Sequence, residues 1–196
     1  PSEAVSKISK LKENGLRADD YIRRGKNFGE IHYDDMCKIY CSYEKICNDE
    51  NSVDFSELLL RTVELLESNS EIRALQHRRF KEILVDEFQD TNSIQYKFLR
   101  LMAGKECHVM VVGDDDQSIY GWRGADYTNM HKFLKDFDDV QQILLSLNYR
   151  SSQKILDMAN TLIAENSDRL MEKVLKGNIG VGDDVSILNC SNNNCE

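Results

Sequence analysis

Apolar positions recur at helical spacing through the first eighty residues. Ile39, Tyr43 and Ile46 fall on one helical face, and Leu58, Leu59, Val63 and Leu66 on another. Gly15 and Gly25 stand where helices would stop, and Asp54 or Ser56 is placed to cap the helix carrying Leu58 to Leu66. From residue 82 the pattern changes. Residues 82–86 form a short apolar run ending in acids, 107–113 a second run and 140–145 a third, and residues 185–188 are expected to open a further strand. Helical patterns cover 93–102, 127–135 and 151–164. Strands apolar on both faces, alternating with helices, predict an α/β fold with a parallel sheet, preceded by a helical segment. The pattern breaks near residue 80 and near Asn148, giving segments 1–80, 81–147 and 148–196. The closing NCSNNNCE reads as a loop or a frayed end.

Composition narrows the class. The 196 residues are 41% apolar and 30% charged, as in a soluble globular protein. No apolar run approaches the roughly 20 residues of a membrane span, and the N-terminus lacks the build of a signal peptide. A chain beginning with Pro1 is expected to be a cut or processed piece. The net charge of −9 argues against nucleic acid in bulk, but local patches decide phosphate contacts. Residues 1–26 hold seven basic side chains (Lys7, Lys10, Lys12, Arg17, Arg23, Arg24, Lys26) against four acidic ones. That stretch reads equally as a nucleic-acid grip or a solvated helical face. Cys37, Cys41 and Cys47 have no CxxC pair and only His32 nearby, a poor zinc set. Cys37 and Cys41 share a helical face and suit half-buried core thiols. With Cys107, Cys190 and Cys195 they are expected to stay reduced in a cytosol.

Candidate chemistry begins at Ile83-Leu84-Val85-Asp86-Glu87. In P-loop ATPases a buried strand delivers an acid at its tip to hold the Mg²⁺ that bridges the nucleotide phosphates. Mg²⁺ keeps several waters, so one protein carboxylate suffices, and a second acid beside it can activate the attacking water. Asp86 and Glu87 fit those roles; the plain alternative is a pair of solvated turn acids. Further on, Tyr120-Gly121-Trp122-Arg123-Gly124 alternates aromatics with small residues and an arginine. Aromatic rings stack on unpaired bases at ~1–3 kcal/mol per base, and arginine can stack or grip phosphate. A lone Trp, taken without its neighbours, is more often core.

In longer stretches the chain resembles the UvrD/Rep/PcrA family of superfamily 1 DNA helicases. VDEFQDTN looks like that family's motif II, GDDDQSIYGWRGA its motif III and LNYRS its motif IV, in order and at fitting spacing. VDFSELL, from Val53, resembles the segment that precedes motif II. The resemblance implies a partial RecA-like P-loop NTPase sheet, with residues 1–80 belonging to a helical insertion subdomain. It implies that 81–147 form the back half of the first RecA-like domain and 148–196 the start of the second. It implies ATP and Mg²⁺ as cofactors, with Asp86 on the metal, Glu87 activating water and Gln117 sensing the γ-phosphate. Tyr149 would pack on adenine and Arg150 would reach the γ-phosphate. Tyr120, Trp122 and Arg123 would meet single-stranded DNA. The implied parent moves 3′ to 5′ on single strands and acts at duplex junctions during DNA repair, in the bacterial cytoplasm at the nucleoid, with repair proteins as partners.

Two other readings stay open: the helicase portion of a RecB- or AddA-like helicase–nuclease, and a non-catalytic module that binds DNA or a partner protein. No GxxxxGK[ST] occurs in these residues, so no phosphate-cradling loop is among them. The chain is therefore expected to start inside the insertion and to hydrolyse no ATP by itself.

Overall fold

A computed structural model describes residues 2–25, 32–167 and 169–186. Lys26, Cys190, Cys195, the NCSNNNCE end and residues 187–188 of the expected last strand lie outside them. The chain divides into two compact units, Pro1–Asp136 and Phe137–Glu196.

The first unit opens with helices, as the spacing predicts: α1 (Ser2–Glu13), α2 (Ala18–Arg24), α3 (Tyr33–Asp49), α4 (Phe55–Ser68) and α5 (Ser70–Arg79). Gly15 and Gly25 follow α1 and α2 with φ of +73° and +76°, a left-handed turn that glycine adopts without strain. Of the two candidate caps, Asp54 is the one used, its Oδ1 accepting the Glu57 N–H at 2.7 Å. Ile8, Leu11, Tyr21, Met36 and Tyr40 pack α1, α2 and α3 into one core. Leu60 and Val63 of α4 close against Ile94 of the next helix. Three of the expected face positions, two on α3 and one on α4, differ from expectation. Ile39 and Ile46 are exposed, because Tyr33, Met36 and Tyr40 supply the buried face of α3, and Leu58 is exposed on α4. Cys37 packs against the core but Cys41 is exposed, so the paired half-buried thiols reduce to one.

The expected basic face is also partly consumed. Lys12 is 1% exposed, with Nζ 2.7 Å from both Asp54 and Glu57. Arg17 lies 2.7 Å from Glu57 and 2.7 Å from Glu64, and Arg61 bonds Glu57 at 2.6 Å. A buried carboxylate is tolerable only with such partners. Burial would raise the Glu57 carboxyl, but hydrogen bonds from Lys12, Arg61 and Arg17 outweigh it and bring it to about 2.

A small parallel sheet follows. β1 (Glu82–Val85) pairs with β2 (His108–Val111) in the register Leu84↔Met110. Between them runs α6 (Ser93–Met102), started by a reciprocal capping box of Asn92 and Gln95. α7 (Thr128–Asp136) completes the unit, and Phe88 packs tilted against Tyr96 and edge-on against Phe133, with ring centroids 6.2 and 5.6 Å apart. The strands alternate and are not apolar-buried throughout: Ile83, Val85, Val109 and Val111 are half-covered, whereas Leu84 and Met110 are exposed. One face of this pair is therefore half-covered and the other open, in place of the expected two covered faces.

In the second unit the expected strand at 140–145 does not form. Ile143 and Leu145 are 78% and 77% exposed, and the run finds no strand partner among the described residues. A strand needs a ladder to satisfy its backbone. Pairing is confined to β3 (Leu147–Asn148) and β4 (Lys176–Gly177), parallel and joined through α8 (Gln153–Ile163). Residues 185–186 are not strand. The whole is α/β, rich in helix, with two small parallel sheets. No helix among the described residues is long and apolar enough to cross a membrane.

Candidate nucleotide and nucleic-acid site

β1 ends by presenting Asp86 and Glu87 at the surface. Asp86 Oδ1 accepts the Glu87 N–H at 2.9 Å, and its other oxygen makes no hydrogen bond among the described residues. A hard carboxylate oxygen at a strand tip suits Mg²⁺, which fills most of its shell with water and phosphate. Glu87 has φ 49° and ψ 44°, a left-handed conformation that costs a non-glycine residue about 1–3 kcal/mol. The surrounding bonds hold it there. Phe88 N–H bonds the Val112 carbonyl at 2.9 Å, binding the residue after Glu87 to the end of β2.

The residue that organises this corner is Gln89, which motif reading by type did not single out. It is 2% exposed. Its Nε2 donates to Glu87 Oε2 at 2.7 Å, and its Oε1 accepts the Asp114 N–H at 3.0 Å. One buried amide thus joins the acid after β1 to the loop after β2, using a donor and an acceptor that no carboxylate or aliphatic side chain offers together. Gly113 makes room: a Cβ there would lie 2.7 Å from Gln89 Oε1 and 3.2 Å from the Phe88 nitrogen.

The loop after β2 begins with Asp114, Asp115 and Asp116, whose carboxylate oxygens lie within 4.8 Å of one another. Gln117 Nε2 donates to Asp114 Oδ2 at 2.6 Å, which turns its amide back on the loop. The aromatic segment comes next. Trp122 is 66% exposed and Tyr120 sits beside it, ring centroids 6.4 Å apart and tilted by 55°. The Arg123 guanidinium lies 4.9 Å from the Trp122 ring centre and 5.3 Å from that of Tyr120. An exposed indole backed by a stacked cation is not core packing. The loop returns to the acid segment at its far end. Asp126 N–H bonds the Thr91 carbonyl at 2.9 Å, and Asn129, fully buried, donates to Thr91 O at 3.0 Å. Burial would raise the Asp126 carboxyl, but Lys132 and Thr128 hold it below the usual carboxylate range. Both feet of the 114–126 loop are therefore fastened to residues 89–92.

Tyr149 and Arg150 belong to the second unit. Asn148 Oδ1 accepts the N–H groups of Arg150 and Ser151 at 2.9 and 2.7 Å, a tight turn between β3 and α8. That turn leaves Tyr149 70% exposed and Arg150 exposed, its guanidinium without a partner among the described residues. The structure thus gathers Asp86, Glu87, Gln117, Tyr120, Trp122 and Arg123 in one unit and carries Tyr149 and Arg150 in the other.

A parallel strand pair ends in two acids and is tied at that corner to an exposed aromatic loop. Comparison with known proteins gives the family of this chain. The family model of the UvrD/REP helicase N-terminal domain matches residues 2–138, and the chain belongs to that family. It is 50% identical over 170 residues to DNA helicase II of Haemophilus influenzae, covering 87% of this chain and 23% of that protein. Against DNA helicase II of Escherichia coli it is 45% identical over 174 residues, 89% of this chain and 24% of the relative. The ATP-dependent DNA helicase PcrA of Leuconostoc citreum is 37% identical over 186 residues, 95% of this chain and 24% of the relative. The chain spans about a quarter of the length of these relatives.

Proposed function

We propose that this chain is the segment of an ATP-dependent DNA helicase that couples the hydrolytic acids to the DNA-stacking loop. Residues 1–80 belong to a helical insertion, 81–147 to the back half of a first RecA-like domain, and 148–196 to the start of a second. Asp86 holds Mg²⁺, which supplies charge neutralisation at the nucleotide phosphates when bound. Glu87 takes a proton from the attacking water. Gln117 and Arg150 sense the γ-phosphate, and Tyr149 packs on adenine. Trp122 and Tyr120 stack on bases of single-stranded DNA, and Arg123 stiffens that platform. The parent enzyme then steps 3′ to 5′ along single strands and opens duplex junctions in DNA repair, working in the bacterial cytoplasm at the nucleoid beside other repair proteins.

The observation that carries this reading is the double attachment of the aromatic loop to the acid segment, through Gln89 at one foot and Thr91 with Asn129 at the other. A change at the phosphate end then has two direct routes to the base-stacking end. The test is replacement of the matched 170 residues of the Haemophilus influenzae DNA helicase II by those of this chain. The chimera is expected to hydrolyse ATP in a DNA-dependent manner, and Glu87→Gln to abolish hydrolysis while leaving oligonucleotide binding intact. Hydrolysis unchanged by Glu87→Gln would remove the assignment.

A further inference from the structure

Helix α1 presents two different faces. Ile8, Leu11 and Lys12 are buried, whereas Ser6, Lys10 and Glu13, spaced four and three residues apart, line up on another side. That side borders an open cleft of about 450 Å³, lined by Ser6, Ser9, Lys10, Glu13, Trp122 and Arg123. The cleft joins a helix to which the motifs assign no role with the exposed indole proposed to hold a base.

The polar groups of this cleft are unevenly occupied. Ser9 Oγ lies 2.7 Å from Ser56 Oγ and donates to Glu13 Oε1 at 3.3 Å, so the acid is held at the helix end. There Glu13 Oε2 would come within 3.0 Å of a Cβ on Gly124, which glycine at φ +95° lacks. One to two turns earlier, Lys10 Nζ and Ser6 Oγ make no hydrogen bond or ion pair among the described residues. Ser6 and Glu13 lie about 10 Å apart along the axis at 1.5 Å per residue. The Ser6–Lys10 end therefore offers an ammonium and a hydroxyl, and the Arg123 guanidinium stands across the cleft. Of the other cations nearby on the chain, Lys7 lies over the Tyr21 ring at 5.6 Å, Lys12 is paired with Asp54 and Glu57, and Arg17 with Glu57 and Glu64.

We infer that the Ser6–Lys10 end of this cleft takes a phosphodiester of the DNA strand whose base stacks on Trp122, with Lys10 as the phosphate-neutralising residue. The inference rests on the base-stacking role proposed for Trp122 and adds a backbone contact from α1. A strand stacked by its bases alone would slide; a phosphate held one helix away fixes its register against the indole. Ser6 supplies a neutral donor to the same phosphate, and the aromatic loop and the helix together form one wall of the strand's path.

Neutralising one phosphate contributes about 0.7 to the slope of log K against log salt for a single strand. The experiment is fluorescence anisotropy of a labelled oligothymidylate titrated with the chain at several KCl concentrations. Lys10→Ala is expected to weaken binding roughly tenfold at low salt and to lower the slope by about 0.7. Lys10→Arg should restore both, and Lys38→Ala, which removes an exposed lysine of α3, should change neither. Lys10 is exposed, so thermal unfolding of Lys10→Ala should match that of the parent chain. An unchanged slope in Lys10→Ala, with binding still dependent on Trp122, would overturn the phosphate contact alone. Equal losses in Lys10→Ala and Lys38→Ala would overturn it as well, in favour of general charge. No binding by the parent chain, or binding indifferent to Trp122→Ala, would overturn the stacking role and this inference together.

Discussion

The buried side-chain amide of Gln89 donates a 2.7 Å hydrogen bond to the carboxylate of Glu87. The same amide accepts the backbone N–H of Asp114, so the proposed water-activating acid and the root of the aromatic loop share one side chain. Three measurable consequences follow from this arrangement and from the ion network behind it.

Replacing Gln89 by Met keeps the volume and removes both bonds. The loss of two hydrogen bonds, one to the Asp114 N–H and one to Glu87 Oε2, costs about 1–3 kcal/mol in all. In a chain of this size that is a fall in melting temperature of roughly 2–12 °C, read by circular dichroism. Gln89→Glu should be worse, because it sets a second carboxylate against Glu87. A Gln89→Glu protein as stable as the parent would show that the amide carries no such linkage.

Gly113→Ala should destabilise by crowding. The added methyl would sit 2.7 Å from Gln89 Oε1 and 3.2 Å from the Phe88 nitrogen, and the latter is backbone that cannot swing aside. Overpacking of this kind costs about 1–3 kcal/mol. The double variant Gly113→Ala, Gln89→Ala should recover part of the loss, which a thermal double-mutant cycle would measure.

Acid should weaken the helical part through Glu57. Its folded carboxyl is brought from 4.5 to about 2 by Lys12, Arg61 and Arg17 acting against burial. A depressed folded value means the stabilisation is fully present above pH 4.5 and is lost as pH falls from there towards 2. At about 1.4 kcal/mol per pH unit the carboxylate contributes about 3 kcal/mol. Glu57→Gln should lower stability at pH 7 and flatten the urea midpoint between pH 4.5 and 2.5. An acid limb of undiminished slope in Glu57→Gln would assign the loss to other carboxylates.

Much of this was readable from residue type and spacing. Helices α6, α7 and α8 lie where their patterns place them, and Asp54 caps α4 as its position suggests. Periodicity found α3 but only part of its buried stripe, since Ile39 and Ile46 match the spacing yet are exposed, while Tyr43 packs against the core that Tyr33, Met36 and Tyr40 help form. Which stripe is buried depends on what stands opposite, here α1 and α2, and no local rule holds that information. The run at 140–145 failed for a related reason: its composition is that of a strand, but a strand exists only where a ladder forms. Gln89 and Asn129 were invisible because a buried amide has no periodic signature. Their signal is the loop backbone each must satisfy, and only the fold brings that backbone to them. Lys12 and Arg17 counted as surface charge in the sequence, and the structure turned both inward.

The account stands most directly on Trp122, the single tryptophan of the chain, 66% exposed and backed by Arg123 at 4.9 Å. The decisive measurement is its fluorescence while single-stranded oligonucleotide is titrated in, with Trp122→Ala compared by anisotropy. A stacking platform predicts saturable quenching, and an affinity that drops by about 1–3 kcal/mol in Trp122→Ala. A fluorescence that never changes, with Trp122→Ala binding as tightly as the parent, would contradict the claim that this loop holds DNA.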